Sequence, residues 1–242
     1  MNFNLSIFVS ALGSPSLVQG AWLTILLTIV SFGFGLAIGL VVAVARDNRY
    51  RVIRALAWGY VWVFRAVPTI VQLLFVWNAL PQMIPALKGS WFTPFMAATL
   101  ALSLNEGAYA AEIVRGGLLA IDDGQKLAAR ALGLSPFRTF RRVVAPQLVR
   151  VIIPPISNDF ITLLKITSLA YIISLRELVN NAQLAIASTF RFAEWYAAVA
   201  VYFLVIVSIF MFLQSLIEKR FVWTSRGNEP GAVARIRSGV MR

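Results

Sequence analysis

Two acidic side chains stand inside runs that are otherwise apolar: Glu106 in ALSLNEGAYAAEIV and Asp159 in PPISNDFITLLKITS. Asn105 and Tyr109 lie four residues apart around the first, while Asn158, Thr162 and Lys165 recur at helical spacing around the second. Ionisable groups in such a setting are costly and turn to a bundle interior or a cavity, where they can hold a polar solute or carry a proton or cation. Lys165 also has a purely structural reading, as a partner that pairs with Asp159 or Glu106 and ties two helices together. Other chemistry is excluded. With no His and no Cys, the chain has no disulfides, none of the usual zinc ligand sets and no Ser-His or Cys-His catalysis. No GxxxxGK[ST] loop is present to hold a nucleotide, so no cofactor and no enzyme activity are expected of this chain itself.

The elements that position these residues follow from composition. Of 242 residues, 59% are hydrophobic and 13% charged, and the mean hydropathy is +0.77; a soluble fold cannot hide that much apolar surface. An all-α integral membrane protein is expected. Five stretches can each supply the roughly 20 apolar residues that a bilayer requires: 21–45, 67–86, 92–114, 151–174 and 195–217. The first and last are uninterrupted. The second is broken by Pro68, Pro81 and Pro85, and the third and fourth carry the polar residues above. Residues 50–64, with Arg51 and Arg54, read better as an interfacial helix than as a sixth span. At 1.5 Å per residue, Glu106 and Asp159 each lie about 12 Å from the nearer end of their spans and share one level near the bilayer midplane.

Charge fixes the expected orientation. Of 22 Lys and Arg, five follow the first span, seven lie between the third and fourth, and six follow the fifth; these eighteen fall on one side, which the positive-inside rule makes cytoplasmic. The amino terminus (1–20) is expected outside and the carboxyl terminus inside. The first 45 residues contain no Lys or Arg, so the start lacks the basic region of a signal peptide. The tail, 218–242, has no apolar period and is expected to be disordered. Gly35 and Gly39 let helices approach closely, within one subunit in preference to a dimer seam.

Between the third and fourth spans, 115–150 is a cytoplasmic loop containing KLAARALGLSPFRTFRRVVAPQ (126–147). Asp122 or Asp123 can cap a first helix over about 124–132, Gly133 supplies a left-handed residue, and Ser135 with Pro136 opens a second helix. Small residues Ala128 and Ala129 and the sharp corner make a compact knob suited to a groove in another chain. Its arginines serve equally as cytoplasmic anchors for membrane lipid. Recognition of nucleic acid is disfavoured because the knob is tethered to the membrane at both ends.

At these residues the sequence resembles the cytoplasmic loop of ATP-binding-cassette importer permeases, whose pattern is Glu-Ala-Ala, three residues, Gly, nine residues, Ile, one residue, Leu-Pro. Ala128, Ala129, Gly133 and Pro146 fall in register, with Val143 at the Ile position. RAVPTIVQLLFVW (65–77), AYAAEIVRGG (108–117) and PPISNDFITLLKITSL (154–169) are similar to the polar amino acid subfamily, so that the likeness covers about 20–223. Two positions depart from it: Leu127 replaces the family Glu and Ala145 the family Leu. The resemblance implies a type I importer permease fold in a bacterial inner membrane, and a second permease subunit, identical or not. It also implies two cytoplasmic ATPase subunits carrying ATP and Mg, and an extracytoplasmic solute-binding protein. It further implies coupling to the ATPase through Leu127, Ala128, Ala129, Gly133, Ser135 and Pro136, and an amino acid site at Asp159; Glu106 departs from the small residues usual at its position. With two carboxylates against one lysine, a basic amino acid is the first expectation. An ion-coupled secondary transporter using the two carboxylates, and a membrane-bound regulator whose loop binds nucleic acid or protein, stand as alternatives.

Overall fold

The computed structural model describes residues 3–221, and they are helical almost throughout. Helix α1 (Leu5–Leu12) is capped by Asn4, whose side chain accepts from Ser6 and Ile7 N–H. Helix α2 (Pro15–Arg46) begins with Pro15 in its first turn, where the missing N–H costs nothing. A corner leads to α3 (Arg51–Ala66). After Val67 and Pro68 the chain restarts as α4 (Thr69–Leu74), a π-helical turn (Phe75–Ala79) and α5 (Leu80–Met83). Helix α6 (Pro94–Leu119), capped by Thr93, runs to the loop helix α7 (Asp123–Ala131). The chain then continues as α8 (Pro136–Thr139), a second π turn (Phe140–Val144) and α9 (Ala145–Ile166). It closes with a 3-10 stretch (Thr167–Ile173), α10 (Leu178–Thr189) and α11 (Phe192–Phe221).

Helix α6 is the hub, and its most extensive contact is with α2. The reason is side-chain size: Ala97, Ala98, Ala101, Ala108, Ala110 and Ala111 are buried on it, so neighbouring backbones come close. Gly35 and Gly39 of α2 meet it directly. A Cβ on Gly35 would lie 2.4 Å from Glu106 Cγ, and one on Gly39 2.5 Å from Ala110 Cβ. These glycines therefore serve packing within the chain. Beside them on α6, Gly107 leaves room for Ile38 of α2 and the Tyr60 hydroxyl of α3, and Tyr60 donates to the Leu104 carbonyl at 2.6 Å.

Among the described residues, three helical runs are long and apolar enough to cross a membrane: Pro15–Arg46, Pro136–Ile173 and Phe192–Phe221. A fourth is added if Arg51–Ala66 and Thr69–Met83, bent by 105° at their junction, count as one. Helix α6 is long enough but carries Asn105, Glu106, Glu112 and Arg115, which lower its hydropathy. The helix that carries the first expected span begins earlier, at Pro15, and Leu17 and Gly20 pack against the α10 region. The second loop helix does not end within the loop. It passes through the π turn into α9, with Pro146 placed directly after that turn. At the other end α11 extends through Phe221; the tail expected to be disordered lies, from 222 onward, outside the described residues.

Candidate functional site

Helices α6 and α9 bring Glu106 and Asp159 together. Their carboxyl groups are close enough to interact electrostatically, and both Glu106 Oε1 and Asp159 Oδ2 are buried atoms without a protein donor. Glu106 is 3% exposed. It fits there because Gly35 offers no side chain. Two ionised carboxylates accept only and repel each other, so the pair is satisfied when a proton or a cation lies against it.

The other polar residues of the two spans divide into three groups. Asn105 faces away from the pair: its Nδ2 donates to the Phe64 carbonyl at 3.1 Å and to Gln72 Oε1 at 3.2 Å. Gln72 in turn donates to the carbonyls of Phe64 and Val67 at 2.9 and 2.8 Å. Together they satisfy carbonyls freed where Pro68 ends α3. Asn158 and Thr162 are exposed on α9; Thr162 donates to the Asn158 carbonyl at 3.0 Å, and Asn158 Oδ1 accepts from Gln214 of α11 at 2.9 Å. Lys165 is exposed on the same face and belongs to none of the ion pairs found among the described residues, so the structural pairing with Glu106 or Asp159 does not form. Tyr109 is 37% exposed, with the Arg65 guanidinium 5.5 Å above its ring.

Sequence reasoning gave no role to a third acid. Glu112, two turns along α6 from the level of Glu106, binds Arg46 and lies 3.1 Å from Arg115 and 3.7 Å from Arg65. This cluster ties the ends of α2 and α3 to α6. Its signal was present in the spacing, since Arg115 follows Glu112 by three residues, but Arg46 and Arg65 are remote in sequence.

The loop corner forms as its residues dictate. Asp122 Oδ1 accepts from Gly124 N–H at 2.7 Å, which identifies the cap, and Asp123 lies 2.9 Å from Lys126, which holds its carboxyl below the usual range. Gly133 has φ +80°, its N–H reaches Arg130 O at 2.9 Å, and Leu134 N–H reaches Ala129 O at 3.1 Å, a helix-ending arrangement with a left-handed residue. Ser135 accepts from Arg138 N–H. Ala129 is buried beneath the corner, while Leu127, Leu132 and Phe137 are 64, 83 and 72% exposed. From Pro136 the helical run continues to Asp159, so the corner and this half-buried acid sit on one rod of about 35 Å. Pro154 and Pro155 lie inside that rod just before Asp159.

The fold is a helix bundle hubbed on α6, with a capped knob leading into a helical run that is long and apolar enough to span a membrane and carries an acid. Residues 35–223 match the model of the binding-protein-dependent transport system inner membrane component, and the chain belongs to that family. It is the permease component of an ATP-binding-cassette importer and not its ATPase, a multi-pass protein of the bacterial inner membrane that works with ATPase subunits and a binding protein. The glutamine transport system permease protein GlnP of Escherichia coli (strain K12) is 37% identical over 206 residues, 85% of this chain and 93% of the relative. The arginine transport system permease protein ArgU of Corynebacterium glutamicum is 38% identical over 82% of this chain and 66% of the relative. Among solved structures, a chain of an amino acid ABC transporter with histidines superimposes with a TM-score of 0.83 at 32% identity, covering 91% of this chain and 100% of the other.

Proposed function

We propose that this chain forms the membrane path of an ATP-driven importer for a polar amino acid, with a basic one preferred. The relatives that carry glutamine, arginine and histidine in their names support the substrate class. The observation that carries the preference is the Glu106–Asp159 pair: each acid has a buried oxygen without a donor, and a cationic side chain supplies charge and donors together. Asn158, Thr162 and Tyr109 line the approach on the exposed faces of α9 and α6; Asn105 acts from behind by holding the α3–α4 corner.

The exposed polar face of α9 is unsuited to lipid, which supports a second permease subunit, identical or not, closing the path between them. Five spans, with the amino terminus outside and the carboxyl terminus inside, follow if the bent α3–α5 unit and α6 both cross; α6 is 26 residues long, and its polar groups are largely turned inward. This arrangement leaves 115–150 in the cytoplasm. There the knob docks through Leu127, Leu132 and Phe137 on the partner ATPase, which holds ATP and Mg, while a solute-binding protein delivers substrate from outside. Closure of the ATPase dimer displaces the corner built by Gly133, Ser135 and Pro136, and the helical rod carries the displacement to Asp159. Pro155 lacks an N–H for the Val151 carbonyl, so the rod is most compliant one turn before the acid.

Uptake of Arg, His, Gln and Glu by the complex, with its binding protein, tests the preference in Asp159→Asn and Glu106→Gln variants. Both are expected to lose basic amino acid uptake more than Gln uptake. Unchanged Arg and His uptake in both variants, or uptake of Glu alone by the parent, refutes the acidic site. Uptake driven by an ion gradient without ATP refutes the importer itself.

A further inference from the structure

A cavity of about 820 Å³ opens where the end of α2, the start of α3, the end of α6 and α7 meet. Arg46, Arg51, Arg54, Arg115 and Lys126 line it, with Asp47 as the opposing charge. Glu112 neutralises part of this set from behind and Asp123 holds Lys126, so that five cations face three acids and two positive charges remain. Arg51 and Arg54 are exposed and belong to no ion pair found among the described residues. Arg115 Nε is buried with no acceptor. The first turn of α3 has no side-chain cap at Tyr50, which leaves helix N–H groups free beside the arginines.

The walls of the cavity say what kind of anion fits. Ala43, Ala55, Leu118 and Leu119 give it an apolar side. Trp58 also lines it, 56% exposed and stacked on Trp62 at 6.0 Å. Exposed tryptophans mark the level where headgroups meet hydrocarbon. Guanidinium groups bind phosphate oxygens in pairs. A ligand with a phosphate at one end and acyl chains at the other matches both walls, whereas a free anion uses only one.

We propose that this cavity is a binding site for the headgroup of an anionic phospholipid, with Arg51, Arg54 and Arg115 on the phosphate and the acyl chains leaving past Trp58. The inference rests on the membrane placement proposed above, since it needs this end of α2 and α6 to lie at a lipid headgroup layer. Bound there, the lipid joins the α2–α3 corner to α6 and α7, and so braces the base of the knob.

The test is titration of the detergent-purified complex with phosphatidylglycerol, followed by native mass spectrometry, against phosphatidylcholine and inorganic phosphate. Phosphatidylglycerol is expected to bind in preference to phosphatidylcholine, and R51Q/R54Q to weaken it roughly 30-fold. R141Q/R142Q, on exposed arginines outside the cavity, is expected to change nothing. If R51Q/R54Q fails to fold, the parent protein titrated at rising NaCl decides: affinity must fall with salt. Equal binding of phosphatidylcholine, an unchanged affinity in R51Q/R54Q, or no salt dependence overturns the proposal. Displacement of the lipid by millimolar phosphate makes this a free-anion site, and loss of the ATPase without loss of lipid makes it a protein-docking surface; either result also overturns it. The titration requires no transport, so failure of amino acid uptake leaves its result readable.

Discussion

Gly133 offers the sharpest perturbation, because its two possible costs separate cleanly. A Cβ built at this position meets nothing within 4 Å, so a side chain causes no clash with the rest of the protein. The cost is backbone strain at φ +80°, about 1–2 kcal/mol for an ordinary L-residue and more for a β-branched one. Since about 1.4 kcal/mol is a tenfold change in an equilibrium, Gly133→Ala should reduce the population of the native corner about tenfold relative to its alternatives, and Gly133→Val further. Gly133→Asn should recover most of it, because Asn tolerates the left-handed region. Gly116 is the matched control: it also has open space around its Cβ position but lies in α6 without a positive φ, so Gly116→Ala should be neutral. The assay is substrate-stimulated ATP hydrolysis by the reconstituted complex, with membrane insertion checked separately. Stimulation should fall in the order Gly, Asn, Ala, Val while basal hydrolysis by the ATPase persists. Normal stimulation in Gly133→Val, or equal losses in Gly116→Ala and Gly133→Ala, would refute the corner as the coupling element.

Leu127→Glu is expected to be tolerated and to hold or tighten ATPase binding, since Leu127 is 64% exposed on a helix where Glu propagates well; a pull-down showing weaker binding would mean that the partner groove wants an apolar contact. Gly35→Ala should destabilise the protein by about 1–3 kcal/mol through overpacking, as its Cβ would press on Glu106 at 2.4 Å, whereas Gly59→Ala, in open space, should not; equal thermal unfolding of the two contradicts the packing argument. Burial pushes the Glu177 carboxyl up from 4.5 to about 7, although it accepts the Val179 and Asn180 N–H groups. The folded state then keeps a proton that the unfolded chain releases, so this group's contribution is most favourable below about pH 4.5 and is lost as pH rises through about 7, by at most about 3 kcal/mol. Glu177→Gln should flatten that part of the unfolding profile in detergent, and a retained slope would refute the assignment.

Short-range chemistry was legible in the sequence. The Asp122 cap, the left-handed Gly133 and the Ser135–Pro136 restart each depend on residues within a turn of one another, and each forms as expected. Hydropathy and the polar residues within apolar runs likewise pointed to a membrane bundle with Glu106 and Asp159 as its unusual feature, because burying a charge in an apolar helix has few inexpensive explanations. What the sequence could not decide was which polar groups meet. Helical spacing grouped Asn105 with Tyr109 and assigned both to one pocket with Glu106, yet Asn105 and Glu106 are adjacent in sequence and therefore about 100° apart around the helix, so Asn105 turns to Phe64 and Gln72 at the corner while Glu106 turns to Asp159. Lys165 had the charge to pair with either acid but lies on the exposed face of α9. Arg46 and Arg65 reach Glu112 only because α2 and α3 converge on α6, a convergence set by Gly35, Gly39 and Gly107. Local backbone preference is written in neighbouring residues; the pairing of charges depends on the rotation and approach of whole helices, and only the packed bundle fixes those.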